Sequence, residues 1–261
     1  MNDRALEPVL LRTVEDGIAT LVLNRPRQYN ALSGDLLEAL TRALDEIAAD
    51  PAVRVVLVTG AGSAFCSGHD LKEMRALPRS QVDLLFTACS TFMQKLVALP
   101  QPVIAVVNGL ATAAGCQLVA QCDLAVASSH ARFATSGINL GLFCSTPAVS
   151  LSRNLGRKRA AEMLFTGEFI DAAQALDWGL VNRLAPPEQL MESAHELANN
   201  LKAKPRESLA AGKALFYRQL EAPLQRAYED ASCTIAANMD TDVAREGVDA
   251  FFAKRPPRWA P

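Results

Sequence analysis

Several features typical of membrane, nucleic-acid-binding and metal proteins are missing from this 261-residue chain. No apolar stretch approaches the roughly 20 residues of a transmembrane helix, and segment 1–8 lacks the apolar core of a signal peptide. Basic and acidic residues nearly balance, with 26 Lys and Arg against 28 Asp and Glu, so no general attraction to nucleic acid or anionic lipid is expected. We therefore predict a cytoplasmic protein that binds neither nucleic acid nor a membrane.

Residues that bind metal ions are also scarce. The chain has only three histidines, and its six cysteines are not arranged at the paired spacing of metal sites. Most of these cysteines lie among apolar or small residues, which favours reduced, structural thiols. We predict no metal site, and we leave a reactive role open only for Cys116 and Cys144.

The residues that are present indicate an α/β protein. Hydrophobic residues make up 50% of the chain, which is enough for one large core with an appendage. Apolar, strand-like runs at 55–59, 102–107 and 124–127 alternate with segments of helical periodicity, and this order predicts right-handed crossovers around a mostly parallel sheet. From Pro147 onward helices are expected to dominate, and such a run of helices often forms an oligomer interface.

The stretch 108–123 is rich in small residues and directly follows the buried run 102–107. A helix is predicted to begin near Ala113 or Ala114, where small residues let a ligand approach the backbone and free amides can donate to an anionic oxygen. Close packing of the helix on the sheet is the alternative explanation for the same small residues.

A second turn of this kind, at 64–74, follows the strand-like run 55–59. Two turns that each end a parallel strand could direct two backbone amides to one carbonyl oxygen, which is the geometry that stabilises an enolate or a tetrahedral oxyanion. The pair therefore predicts a thioester or a similar acyl substrate.

The motifs of this chain resemble the enoyl-CoA hydratase/isomerase (crotonase) superfamily. The similar segments cover nearly the whole chain in order: 24–26, 30–32, 65–74, 102–109, 122–123, 165–168 and 178–181. Segments 67–72, 108–120 and 141–147 are similar to one subgroup, the proteins called enoyl-CoA hydratase domain-containing protein 3. The resemblance implies a crotonase-like spiral core of ββα units at 1–200. It also implies a C-terminal helical region at 201–261 that assembles a homotrimer or a dimer of trimers.

The resemblance also implies an acyl-CoA thioester as substrate, with its carbonyl polarised by two backbone amides. On this chain those amides belong to His69 and Ala114, in agreement with the two turns above. No permanently bound cofactor is implied, because coenzyme A arrives as part of the substrate. The residues implied to contact it are Arg25, Arg27, Asp70, Leu71, Lys72 and Lys254.

The chain departs from the superfamily where the hydratases have two glutamates. Gln117 stands in place of the first and Gly137 in place of the second. Neither an amide nor a glycine can accept or deliver a proton near neutral pH, and loss of one such group typically costs about 10² to 10⁴ in rate. Certain dihydroxynaphthoyl-CoA synthases also have this glycine and use a bound bicarbonate instead. Thr135 and Ser136 could hydrogen-bond such an anion here.

Alternatives remain open at single residues and for the whole protein. His69 could donate a proton near the thioester, or its ring could only make a local hydrogen bond. Asp70 and Asp123 are expected to cap helices or turns. Gln117 could bind a substrate oxygen or water through its amide. The chain is then either an acyl-CoA enzyme of the hydratase/isomerase class with altered acid/base groups, or an acyl-CoA-binding protein that has lost the chemistry.

Overall fold

The structure is a computed structural model that describes residues 7–259, so most of segment 1–8 lies outside it. The described strands are β1 (Leu10–Glu15), β2 (Ile18–Leu23), β3 (Val55–Gly60), β4 (Ala64–Cys66), β5 (Val103–Val107), β6 (Leu110–Thr112), β7 (Leu124–Ser128), β8 (Arg132–Ala134), β9 (Ile170–Asp171) and β10 (Arg183–Ala185). The described α-helices are α1 (Gly34–Ala49), α2 (Leu71–Ala76), α3 (Arg79–Ala98), α4 (Ala114–Gln121), α5 (Ser145–Asn154), α6 (Arg157–Thr166), α7 (Ala172–Trp178), α8 (Leu190–Lys202), α9 (Arg206–Leu220), α10 (Leu224–Met239) and α11 (Asp242–Phe252).

The strands form two sheets, and most of their pairings are parallel as predicted. The larger sheet has the order β1-β2-β3-β5-β7-β10, in which only the β1–β2 hairpin is antiparallel. Asp16 and Gly17 make the hairpin turn with positive φ angles of 48° and 74°. The smaller sheet has the order β4-β6-β8-β9, in which β4, β6 and β8 are parallel. The helix α2 and the short strands β4, β6, β9 and β10 were not predicted from the sequence.

The ββα spiral is confirmed, and it determines where the functional turns lie. β3, β5 and β7 are long, mostly buried strands of the larger sheet, and each is followed by a short strand of the smaller sheet, namely β4, β6 and β8. Because these short strands are parallel neighbours, the turns that follow them come together at one edge of the sheet. Those turns contain residues 67–70, 113–114 and 135–137.

Apolar side chains pack into two core clusters, a large one that includes α1 and a smaller one between the larger sheet and α8. The apolar stripe of α1 is fully buried, and the side chain of Ser33 accepts a hydrogen bond from the amide of Leu36 at the start of the helix. Burying one leucine or isoleucine side chain of this stripe contributes about 1.5–3 kcal/mol. The residues of the stripe are Leu36, Leu37, Leu40, Leu44 and Ile47.

The helices α9 and α10 pack differently, because no residue in either of them is buried. Large apolar side chains on these helices and on α11 remain exposed, including Leu224, Tyr228, Ile235, Phe251 and Phe252. The predicted domain boundary at 200–201 falls near the end of α8, and it stays a prediction. None of the described helices is both long and apolar enough to cross a lipid bilayer.

A buried ion pair attaches α9 to the core. The Nζ atom of Lys213 lies 2.7 Å from a carboxylate oxygen of Asp123, and the two side chains are only 7% and 15% exposed. The other carboxylate oxygen of Asp123 accepts a hydrogen bond of 2.8 Å from the hydroxyl of Tyr217, and the amide of Val103 donates to the first at 2.7 Å. Asp123 therefore does more than the predicted cap, since it joins two distant parts of the chain.

We predict that Lys213→Met destabilises the fold by about 3–5 kcal/mol, because it leaves a buried carboxylate without its cation. The matched control is Lys95→Met, which removes a more exposed ion pair with Asp45 and should cost at most about 1 kcal/mol. Urea denaturation measures both free energies of unfolding. Equal effects of the two substitutions would contradict the assigned role of Lys213.

Candidate functional site

A cavity of about 350 Å³ lies where the three turns of the smaller sheet meet. Its volume is within the range of small-molecule sites. The turns contribute Ser67 and His69 after β4, Ala113 and Ala114 after β6, and Ser136 and Gly137 after β8. The remaining wall is mostly apolar and includes Leu71, Met74, Phe86, Leu140, Leu142, Phe143, Cys144 and Pro147.

The first two turns touch each other at Gly68. A Cβ atom at this position would lie 2.9 Å from the Cβ atom of Ala113 and 3.3 Å from the amide nitrogen of Ala114. Gly68 also has a φ angle of +95°, which side chains disfavour. The hydroxyl of Thr112 donates to the carbonyl of Ser67 at 2.9 Å and joins the same two turns. Only glycine permits this approach of one backbone to the other.

The amides of His69 and Ala114 are the free donors of these turns. Ala114 is the first residue of α4, so its N–H has no acceptor within the helix. Ala113 precedes it with φ 49° and ψ −119°, a conformation that costs a non-glycine residue about 1–3 kcal/mol and that is typical of functional sites. Within residues 7–259, neither amide has a backbone acceptor.

Two asparagines, the buried Asn30 and the half-buried Asn108, hold the loops that lead into the site. The side-chain amide of Asn30 donates to the carbonyls of Ala61 and Ala64 at 2.9 and 2.7 Å. Asn108 donates to the carbonyl of Gly62 at 2.9 Å and accepts from the amide of Gly60 at 3.3 Å. Sequence analysis used both residues as parts of motifs but assigned them no structural role.

His69 is a neutral side chain in the cavity wall. Its ring packs edge-on against Phe86, with ring centroids 4.8 Å apart. Burial lowers the pKa of His69 to about 4, and the nearby carbonyl of Leu32 only partly offsets this effect. Both ring nitrogens are buried, and no described residue hydrogen-bonds to them. The predicted local hydrogen bond of the ring is therefore not formed among residues 7–259.

Gln117 is buried in α4, one helical turn after Ala114. Its side chain is part of a residue only 3% exposed, and its Oε1 atom has no hydrogen-bond partner among the described residues. A buried amide oxygen without a donor costs about 1–3 kcal/mol, so the position favours a ligand or water that donates to it. Gln117 is not one of the residues that line the cavity.

The space where a side chain at position 137 would lie is occupied by the loop that follows Gly137. A Cβ atom at this position would lie 2.7 Å from the carbonyl oxygen of Leu142 and 2.8 Å from the Sγ atom of Cys144. A larger residue at 137 therefore requires the 138–144 loop to move. No aspartate or glutamate lines the cavity in the part of the chain that the structure describes.

Of the two hydroxyls predicted to hold a bicarbonate ion, one is already used. Thr135 is buried and its hydroxyl donates to the carbonyl of Met163 at 2.6 Å. Ser136 lines the cavity and is the remaining hydroxyl. The carbonyl oxygen of Leu142, which lies beside Gly137, carries a partial negative charge and would repel an anion bound here. The bicarbonate hypothesis stays a prediction.

Some of the residues predicted to contact CoA make contacts within the protein, and others are exposed at its surface. Arg25 forms an ion pair of 2.8 Å with Asp70, and Asp70 also caps α2 by accepting from the amides of Lys72 and Glu73 at 3.0 and 3.3 Å. The hydrogen bond from Arg25 lowers the pKa of Asp70. Leu71 borders the cavity. Leu71 is exposed as well, and the exposed cations of the predicted set are Arg27, Lys72 and Lys254.

We predict that His69 makes stability depend on pH. The pKa of His69 is about 4 in the fold and about 6.5 in the unfolded chain, so between these values the unfolded chain binds more protons. Stability should therefore fall by about 3 kcal/mol as the pH drops from 6.5 to 4. His69→Gln should remove this dependence, and His195→Gln, at an exposed residue, should not.

Urea denaturation at several pH values measures this change. Because the chain has only three histidines, proton NMR can also follow each imidazole separately. A His69 signal that titrates near pH 6.5 in the folded protein would contradict the buried, neutral ring.

Comparison with known proteins identifies relatives along almost the whole chain. The model of the family described as "Enoyl-CoA hydratase/isomerase" matches residues 13–261. The rat protein named "Enoyl-CoA hydratase domain-containing protein 3, mitochondrial" is 46% identical over 256 residues, which cover 97% of this chain and 85% of the rat protein.

Two solved structures match the fold closely. A Mycobacterium smegmatis enoyl-CoA hydratase is 55% identical with a TM-score of 0.95, and the match covers 97% of this chain and 99% of that one. Human enoyl-CoA hydratase domain-containing protein 3 is 43% identical with a TM-score of 0.93, and the match covers 96% and 100%.

The comparisons correct one prediction and confirm the family. The matched proteins of rat, mouse, Xenopus laevis and human are named mitochondrial, and this finding overturns our prediction of a cytoplasmic protein. That prediction rested only on the absence of targeting signals, which is a weak argument about location. The predicted crotonase-like fold and the resemblance to the domain-containing protein 3 subgroup are both confirmed. The chain belongs to the enoyl-CoA hydratase/isomerase family.

Proposed function

We propose that this protein binds acyl-CoA thioesters and polarises the thioester carbonyl with the backbone amides of His69 and Ala114. The observation that carries the proposal is the contact between their two turns at Gly68, which brings two free N–H donors to the wall of one cavity. The mostly apolar wall suits an acyl chain, and the relatives named enoyl-CoA hydratase support this class of ligand.

The two amides would act on charge that develops during a reaction. When a nucleophile adds to an enoyl thioester, or when a proton leaves its α-carbon, negative charge moves onto the thioester oxygen. Fixed donors in a site that excludes water stabilise this charge without reorganising, and removal of one such donor typically costs about 10² to 10³ in rate. The reaction class supported best is therefore enoyl-CoA hydratase- or isomerase-like.

Proton transfer in this cavity must differ from that of a hydratase with two glutamates. Gln117 and Gly137 supply no base, and the neutral ring of His69 is the one group among the described cavity residues with a pKa below 7. Because its pKa is near 4, the ring is a weak base rather than a proton-donating imidazolium. We therefore expect slow turnover in any reaction that needs a strong general base.

A second function is favoured by the same cavity. An acyl-CoA-binding protein without catalysis needs the amides and the apolar wall but no carboxylate. The loop that fills the room beside Gly137 fits this alternative, since it excludes the side chain that would carry the second carboxylate. The two functions differ in turnover and not in binding.

We also propose that the chain assembles as a homotrimer or a dimer of trimers through its C-terminal helices. The exposed apolar side chains of α9, α10 and α11 support an interface there, because they gain stability only when covered. The CoA contacts proposed for Arg27, Lys72 and Lys254 require exposed cations, and all three side chains are exposed.

We predict that Gly68→Ala abolishes tight acyl-CoA binding by pushing the two turns apart. The matched control is Gly179→Ala, because Gly179 has a similar φ of +83° but no heavy atom within 4 Å of its Cβ position. Both substitutions should cost about 1–3 kcal/mol of stability from backbone strain, while only the first should weaken binding. Calorimetric titration with a saturated acyl-CoA measures the affinities. Wild-type affinity in a folded Gly68→Ala protein would contradict the proposed pair of amides.

We predict that Gln117→Glu increases enoyl-CoA hydration by about 10² or more, because burial raises the pKa of the new carboxyl towards neutrality. Gln121→Glu is the matched control, since Gln121 lies on the same helix but its side chain bonds to Ser150. Mass spectrometry of the products from short, medium and long enoyl-CoA substrates measures turnover. Equal rates for the parent and Gln117→Glu would contradict a missing base as the limiting factor.

A further inference from the structure

Cys144 stands where a side chain at position 137 would enter the cavity. Its Sγ atom would lie 2.8 Å from a Cβ atom built on Gly137, and the residue lines the cavity immediately before α5. Cys144 is 7% exposed, so it is reached mainly through the cavity. The other described cysteines do not line this cavity.

The surroundings of Cys144 favour its protonated thiol. Burial raises the pKa of Cys144, and the neighbouring amide of Gly137 partly offsets this effect. The imidazole of His69 lines the same cavity, is neutral, and has both nitrogens buried without a described partner. A thiol and an unprotonated imidazole therefore share one water-poor space with the two free amides.

We propose that Cys144 is a covalent attachment site for α,β-unsaturated acyl thioesters. The inference rests on the proposed function, because the amides of His69 and Ala114 must hold the thioester oxygen. The sulfur of Cys144 bonds to the β-carbon of the alkene, and the π electron pair moves through the α-carbon to the thioester oxygen.

The proton balance of this addition needs no reactant other than water. The thiol loses its proton to water as the carbon–sulfur bond forms, and the α-carbon takes up a proton from water when the enolate collapses. The product is a thioether-linked, saturated thioester that contains every atom of the thiol and of the ligand. The step has the form of hydration, with the thiol in place of water.

The test is incubation of the whole protein with a trans-2-enoyl-CoA, followed by acid quenching, intact-mass measurement and peptide mapping. We expect an added mass equal to the complete enoyl-CoA, located on Cys144. Its amount should exceed that on the exposed Cys233 by at least about tenfold, because a bound ligand reacts at a raised effective concentration. The saturated acyl-CoA of equal length should give no adduct, and Cys144→Ser should lose the mapped adduct.

Each other outcome overturns the inference. Equal labelling of Cys144 and Cys233 would mean unguided thiol chemistry, and an adduct that persists in Cys144→Ser would place the bond elsewhere. Calorimetric titration of the wild-type protein with the saturated acyl-CoA separates the two proposals. Binding without an adduct on Cys144 overturns the covalent site alone, whereas absence of binding overturns the proposed function as well.

Discussion

The contact between two backbone turns, with Gly68 on one side and Ala113 and Ala114 on the other, is the constraint on which the site depends. At position 68 a single methyl group would already lie within 3 Å of its neighbour. The parallel strands β4 and β6 bring the turns together, and Ala113, with its strained φ of 49°, directly precedes the first amide of α4. Small residues are needed here because they allow the two backbones to approach this closely.

The part of the cavity around position 137 is closed off by the packing of its loop. Position 137 carries no side chain, and the loop that could have made room for one is packed against it through Leu142 and Cys144. The cavity thus combines donors for a developing negative charge with a carbonyl oxygen, a thiol and a neutral imidazole. Under the proposed function, such a site would stabilise an oxyanion well and move protons poorly. This combination explains why binding and turnover have to be measured separately.

The sequence predicts the scaffold of this protein better than the details of its site. The buried runs at 55–59 and 102–107 and the stripe of α1 are local patterns, so strands, helices and the two turns could be predicted from them. Short elements such as β10 and α2 carry too few residues for a clear period, although Asp70 as a cap was a usable signal for α2.

Contacts between residues far apart in the chain could not be predicted. Asp123 and Lys213 are separated by 90 positions, and no local sequence pattern around either residue indicates that they pair. The same holds for the packing of Cys144 against Gly137, because a glycine alone does not say what fills the space beside it. Arg25 and Asp70 were predicted to contact CoA, whereas in the fold they form an ion pair with each other.

The most direct test of the two-amide account is infrared difference spectroscopy of an acyl-CoA with a ¹³C-labelled thioester carbonyl. The account predicts that the carbonyl stretch moves to lower frequency on binding. A saturated complex whose carbonyl absorbs as it does in water would contradict it.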